Sequence, residues 1–461
     1  MITTLLMISG ILFLAIQLEE KFKIPSPLGL ITLSFVAHYL FQGVPILTGD
    51  TEHFAKLVVF LLPILLIADS LELTLQDLRE NGLSLLYLAI VAIALSLTAA
   101  LLISEWIFAD YRLSTAAVIV LFTMVLATDP VSVVSIFSKF ELPHRLKILA
   151  EGESLFNDAT ALVIFVFIGL HALDGKEITT IYLVQTTSVV LLGSLLIGTI
   201  IGFMGLIIMK TTENRTAEML VLILSGYMAF ELSEHFHILM NTLNIESHIR
   251  FSGILACIVA IITVHHVMNK ATVEASELIH QEEDELYIKA VNRDVSSGVI
   301  HSLLKKIQAT VVERHRHLRT KEDVQLLAIV ANTILFVAMA EMIDLSLLLK
   351  YKIEILVMFL ATSVIRGLMI SVFAWITNQT KRMPNVNFRW CSVLTFAGIK
   401  GGLSIVMLTM IPRSFEHLEM FKAVVIGVIL LSTFIYSAIL IIVIETNKKK
   451  FLLEKKLDHA K

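Results

Sequence analysis

Residues 126–170 read LATDPVSVVSIFSKFELPHRLKILAEGESLFNDATALVIFVFIGL: two apolar segments joined by a short charged loop, each with polar residues inside it. Thr128-Asp129-Pro130 interrupts the first segment, and Glu151, Glu153-Ser154 and Asn157-Asp158 stud the second. Segments this apolar read as membrane spans, where a central carboxylate costs roughly 2.5–3.5 kcal/mol on insertion scales. Asp129, Glu151, Glu153 and Asp158 all fall within thirty residues. Such a concentration points to a polar site, with Glu151 as the polar edge of its span.

The rest of the chain has the same character. Of 461 residues 56% are hydrophobic and 16% charged, with a mean hydropathy of +0.83, too apolar for a string of soluble domains. The composition is that of a polytopic membrane protein embedded in a lipid bilayer. A net charge of -4 without a long basic block gives no sign of a nucleic-acid partner. Cys257 and Cys391 are far apart and lack metal-ligand spacing, so neither a disulfide framework nor a zinc site is implied, and no cofactor is expected. The first twenty residues lack the positive start and small-residue cleavage site of a signal peptide and read as a retained first span.

Thirteen apolar runs can be marked, at about 3–19, 27–43, 54–72, 83–104, 114–138, 147–171, 181–209, 217–236, 251–268, 325–342, 353–378, 390–411 and 421–445. Most are long enough for a helix to cross ~30 Å of hydrocarbon. Gaps after odd-numbered runs hold most of the Lys and Arg, among them Lys21, Lys23, Lys139, Arg145, Lys210 and Arg215. That bias predicts an outside N-terminus and a cytoplasmic C-terminus. The membrane domain then covers 1–268 and 325–445, with a hydrophilic segment at 269–324 and a short basic tail at 446–461. Within the hydrophilic segment Val299, Ile300, Leu303, Leu304, Ile307 and Val311 recur at helical spacing, predicting one amphipathic connector helix on the cytoplasmic face. His265, His266, His280, His301, His315 and His317, in or beside it, read as scattered surface histidines rather than a pH sensor.

Two runs are broken. Proline removes a backbone donor at Asp129-Pro130, and Gly398-Ile399-Lys400-Gly401-Gly402 interrupts the twelfth run. Each broken run lies between two long ones, so runs four to six (83–171) and eleven to thirteen (353–445) form equivalent units. The predicted fold is all-α, with inverted repeats and two broken helices crossing at the midplane. Two ordinary kinks would give the same pattern without the charges; Asp129 and Lys400 at the breaks favour a site.

On the sixth run Ser154 and Asp158 share a helical face, with Glu153 and Asn157 on the adjoining stripe. Carboxylate, amide and hydroxyl oxygens suit a hard cation such as Na+, Li+ or K+, and the break at Thr128-Asp129 frees carbonyls to join them. Asp158 would have two competing ligands: burial favours its protonated form, and an arriving cation favours the ionised one. If the site reaches either side only when loaded, the result is coupled exchange.

At these residues the chain resembles the monovalent cation:proton antiporters of the NhaP and sodium/proton exchanger type. The resemblance rests on LATDPVSVVSIF (126–137), LAEGESLFNDATALVIF (149–165) and FAGIKGGLS (396–404), and more weakly on PILLIADSLEL (63–73) and FSGILACIVA (251–260). It implies an elevator-like homodimer with a moving core of spans four to six and eleven to thirteen. Asp158 would alternate between cation and proton, supported by Asn157, Ser154, Asp129 and the Thr128 carbonyl. Glu153 would form a structural ion pair with an arginine of span eleven, where Arg366 is the candidate. Asparagine before the transport aspartate implies electroneutral exchange. The short tail favours a prokaryotic inner membrane, and the activity implies a role in pH homeostasis.

Two departures stand out. Lys400 occupies a place where the family usually has arginine, and a lysine can lose its proton where arginine cannot. In span three the family's glutamate is replaced by Ile67-Ala68-Asp69, so Asp69 is either a shifted substitute or the polar end of the span. A cation channel would also place carboxylates at the midplane, without needing proton competition. An intramembrane aspartyl protease would use two aspartates on adjacent spans, as Asp129 and Asp158 are, but leaves Lys400 and Arg366 without a role. A transporter rather than an enzyme is the expectation.

Overall fold

The computed structural model describes residues 2–22, 25–40, 51–242, 250–268, 297–380, 383 and 385–458, and among these every regular element is a helix. In chain order they are α1 (Ile2–Phe22), α2 (Ser26–Leu40), α3 (Thr51–Ser70), α4 (Leu75–Ile107), α5 (Thr115–Leu126), α6 (Pro130–Phe137), α7 (His144–Leu173), α8 (Thr180–Met209) and α9 (Arg215–Glu234). There follow α10 (Phe236–Thr242), α11 (Gly253–Met268), α12 (Ser297–Glu341), α13 (Leu345–Lys350), α14 (Lys352–Gln379), α15 (Phe388–Phe396), α16 (Gly402–Thr409) and α17 (Leu418–Lys456). Seven stretches among the described residues, in α4, α7, α8, α9, α12, α14 and α17, are long and apolar enough to cross a membrane, with α2, α5 and α11 as shorter apolar helices. Apart from a few residues at their ends, the described residues of the thirteen apolar runs fall on helices or broken pairs of helices.

The first part of the hydrophilic segment, residues 269–296 with His280, lies outside the described residues. From Ser297 the backbone is helical without interruption to Glu341, so the helix expected in that segment and the tenth apolar run are one element.

The chain divides into two compact units. The first holds residues 1–65, 76–192 and 330–461. Within it the succession of long helix, broken helix, long helix occurs twice: α4, α5/α6, α7 and then α14, α15/α16, α17. The first break has a covalent cause. Proline has no N–H to give a preceding turn and pushes the residue before it out of helical geometry, so α5 stops at Leu126. Ala127 is extended (φ -55°, ψ 143°) and the helix restarts with Pro130 at its first position, where a missing N–H does no harm. The second break is spatial. Gly401 has φ -138° and ψ -162°, a conformation open to any residue, but a Cβ there would stand 2.5 Å from the Asp129 Cβ. Glycine is what lets the two broken helices touch.

In the same unit α4, α7 and α17 each contain one wide π-helical turn, at Tyr87–Val91, Phe165–Leu170 and Ser432–Tyr436. Such turns release backbone and side-chain groups from regular pairing.

The second unit holds residues 66–75 and 193–329. Its apolar core joins Ile197 and Ile201 of α8, Ala229 of α9, and Phe251, Ala256 and Ala260 in and before α11. Gly202 permits the close approach of α8 to α11, since a Cβ there would lie 2.8 Å from the Ala260 carbonyl oxygen. The reading of surface histidines fails at His317. Its Nδ1 lies 2.5 Å from Glu218 Oε1, and Arg316 Nε donates to Glu218 Oε2 at 2.8 Å, fully burying that carboxylate between them. A buried carboxylate demands such partners, and the sequence spacing of 99 residues gave no local sign of them.

Candidate functional site

Both helix breaks lie in the first unit, and they meet: the Asp129 backbone N–H donates to the Ile399 carbonyl at 2.7 Å. Around this crossing Thr128, Asp129, Glu153, Ser154, Asn157, Asp158 and Lys400 are all buried. Each helix end in the crossing also carries a partial charge from its unpaired backbone groups. The charged side chains are distributed to match. Asp129 stands at the positive N-terminus of α6, and Lys400 Nζ donates to the Leu126 carbonyl, at the negative C-terminus of α5, at 3.3 Å.

Helix α7 brings its polar stripe to the first break. Asp158 is 7% exposed and accepts the Thr128 backbone N–H through Oδ1 at 2.9 Å. No second protein hydrogen bond reaches its carboxylate among the described residues, so Oδ2 is open to another ligand. One turn earlier, Ser154 Oγ donates to Thr128 Oγ1 at 2.9 Å. Asn157 Nδ2 donates to the Leu126 carbonyl at 3.0 Å and to Thr128 Oγ1 at 3.1 Å. The Asn157 amide therefore anchors the end of α5, while its Oδ1 is buried without a hydrogen-bond partner.

Behind this layer Arg366 of α14 forks onto Glu153 of α7, Nη1 to Oε1 at 2.9 Å and Nη2 to Oε2 at 2.8 Å. The same guanidinium donates to the Leu394 and Thr395 carbonyls, both at 2.9 Å, and so caps the last turn of α15. A planar guanidinium can serve a carboxylate and two carbonyls at once because its five N–H groups point outward in fixed directions.

Ser432 and Ser132 complete the site. Ser432, in the π-helical turn of α17, accepts the Lys400 backbone N–H at 3.1 Å and donates to Ile429 O at 2.9 Å. Ser132, three residues after Asp129, donates its hydroxyl to Asp129 Oδ2. The Asp-to-Ser spacing in the first helical turn was a usable signal for Ser132; for Ser432, 32 residues from its partner, there was none. Asp69 lies near the end of α3, half-buried, and belongs to the second unit. Glu151 is half-buried, one turn N-terminal to the polar stripe of α7.

Residues 7–240 match the family described as "Sodium/hydrogen exchanger, transmembrane". The Na(+)/H(+) antiporter NhaG of Bacillus atrophaeus is 32% identical over 235 residues, covering 47% of this chain and 42% of that protein. Na(+)/H(+) exchanger protein 7 of Caenorhabditis elegans is 32% identical over 239 residues, covering 48% of this chain and 29% of that protein. The match thus spans less than half the length of either relative. The solved structure of the sodium proton antiporter MjNhaP1 from Methanocaldococcus jannaschii at pH 8 aligns with a TM-score of 0.66 over 98% of this chain and 99% of that one. At 16% identity that likeness establishes a shared fold. With a family match over more than half of the 461 residues and at least seven helices able to span a bilayer, the chain is an integral membrane protein and belongs to the sodium/hydrogen exchanger family.

Proposed function

We propose that this protein is a secondary antiporter that exchanges Na+, or Li+ or K+ through the same oxygen chemistry, for protons across a membrane. The observation that carries the reading is Asp158: a buried carboxylate held by one backbone N–H, with its second oxygen open and hydroxyl and amide groups around it. The names of the curated relatives, Na(+)/H(+) antiporters and exchangers, support Na+ and H+ as the substrates.

In this reading Asp158 binds either the cation or the proton. With a proton the carboxyl is neutral and tolerates its buried surroundings. A cation supplies the charge that the ionised form lacks, so its arrival expels the proton. Ser154, Asp129 and Thr128 provide further oxygens, and Asn157 Oδ1, a buried acceptor without a partner, gains one. Lys400 and Arg366 supply positive charge at helix C-termini, and Glu153 balances Arg366 as a structural partner. The family resemblance, with asparagine before the transport aspartate, supports one cation per proton and an electroneutral cycle. Alternating access is elevator-like, with α4–α7 and α14–α17 as the moving part of a homodimer. The N-terminus lies outside and the C-terminus in the cytoplasm of a prokaryotic inner membrane, where the exchange serves pH homeostasis.

The test is direct. Purified protein in liposomes with an imposed pH gradient should dissipate that gradient when Na+, Li+ or K+ is added. A gradient indifferent to all three cations would remove the antiport reading.

A further inference from the structure

The two repeats use one construction at their breaks, with a single chemical difference. Thr128 stands two residues before the restart of α6 at Pro130, and Lys400 two residues before the restart of α16 at Gly402. In the first repeat the Thr128 backbone N–H donates to Asp158 Oδ1 of α7 at 2.9 Å; in the second the Lys400 backbone N–H donates to Ser432 Oγ of α17 at 3.1 Å. Ser432 thus holds in the second repeat the place that Asp158 has in the first. Lys400 lies between α15 and α16 and is 3% exposed, so its N–H has neither a helical acceptor nor water and needs a partner from elsewhere. Among the described residues that N–H makes no other hydrogen bond. Ser432, fully buried, gives its own proton to Ile429 O at 2.9 Å, so its oxygen turns only lone pairs to the break. Unlike a carboxylate, it does so in the same form at every pH.

The peptide plane between Ile399 and Lys400 is therefore held from both sides. Its carbonyl accepts the Asp129 N–H of the first break at 2.7 Å, and its N–H is held by α17. With one bond the plane can turn; with two it is fixed. From that plane the Lys400 amine reaches Leu126 O at 3.3 Å. The charged groups that bear on the amine are Asp158 and Glu153 of α7 and Arg366 of α14. Asp129 lies against the adjoining Gly401, and α17 adds Tyr436, near Arg366.

We propose that Ser432 is the positioning residue for Lys400: its hydroxyl oxygen fixes the second break so that the Lys400 amine is held at the first, and this hold sets the pH range over which exchange runs. This rests on the antiport reading. While protonated, the amine favours the ionised form of Asp158. Without the Ser432 oxygen the plane turns, the amine moves off the first break, and Asp158 keeps its proton to higher pH.

The experiment reads Na+-driven proton movement from pH 6 to pH 9 in proteoliposomes of wild type, Ser432→Ala and Ser432→Cys, with the melting temperature of each in the same detergent. Ser432→Ala should move the half-maximal point of the acid limb to higher pH by about half a unit, roughly a threefold change in proton concentration. Ser432→Cys, whose sulfur is a weak acceptor, should fall between wild type and Ser432→Ala, and it carries the test if Ser432→Ala fails to insert. A half-maximal point that stays at the wild-type pH in these variants, whatever happens to melting temperature or maximal rate, or one that moves to lower pH, overturns the proposal and leaves antiport intact. A wild-type protein that moves no protons with any alkali cation overturns antiport and this proposal together.

Discussion

Removing Arg366 tests the joint that holds α7, α14 and α15 together. Its guanidinium makes two bonds to Glu153, at 2.9 and 2.8 Å, and two more to the Leu394 and Thr395 carbonyls, both at 2.9 Å. The Arg366 and Glu153 side chains are only 11% and 5% exposed, so neither charge has water to fall back on. In Arg366→Met, Glu153 retains a buried charge without its partner and the end of α15 loses its cap. Breaking a buried pair from one side costs about 3–5 kcal/mol. At about 2 °C per kcal/mol for larger domains, the variant should melt about 6–10 °C below wild type in the same detergent. The double variant Glu153→Leu/Arg366→Met buries no lone charge and should recover more than half of that loss. The remaining deficit would come from the two uncapped carbonyls. Melting within about 2 °C of wild type for Arg366→Met, or a double variant less stable than the single, would refute the assignment of a stabilising pair.

Other outcomes follow from the same geometry. Gly401→Ala puts a methyl 2.5 Å from the Asp129 Cβ, so the breaks must part; transport should fall at least tenfold with a stability loss of about 1–3 kcal/mol, and near-wild-type transport would contradict the close crossing. Lys400→Arg should keep exchange but shift its pH profile, since lysine can release a proton that arginine retains; an unchanged profile would make Lys400 a fixed charge only. Tyr111, in a short turn after α4, donates to Glu354 at 2.6 Å, and burial first, then Glu354, pushes its hydroxyl pKa up. Because the folded pKa lies above the unfolded value of about 10, the stabilisation is complete below that pH and lost only as pH rises through the folded value. Tyr111→Phe should therefore lower stability by about 1–2 kcal/mol equally at pH 6 and pH 9, and a difference that vanishes by pH 9 would contradict this.

What the sequence makes legible here is what is local. Pro130 and Gly401-Gly402 announce breaks by backbone chemistry alone, and Ser154, Asn157 and Asp158 share a face by helical spacing. Arg366, a charge inside an apolar run, calls for a partner, and in the structure Glu153 lies against it across 213 residues. Contacts set by the crossing carry no such signal. That Lys400 reaches a backbone carbonyl, 274 residues away in sequence, depends on where the broken helices end. Asn157 likewise reads as an oxygen donor to a cation, whereas its Nδ2 ties down Leu126 and Thr128 and only Oδ1 is open. Helix α12 shows the opposite limit. Periodicity suggests a separate amphipathic helix, but no Gly or Pro stands between residues 299 and 341, so the backbone continues as one element.

The measurement that bears most directly on the account is Na+-driven proton movement by Asp158→Asn in proteoliposomes, beside wild type at matched protein content. Asparagine keeps the size of the side chain and can still accept the Thr128 N–H at Oδ1, but it can neither bind a proton for exchange nor neutralise a cation. The account predicts a folded, inserted protein with no cation-dependent proton movement at any pH between 6 and 9. Retained exchange in that variant would contradict the assignment of Asp158 as the group for which cation and proton compete.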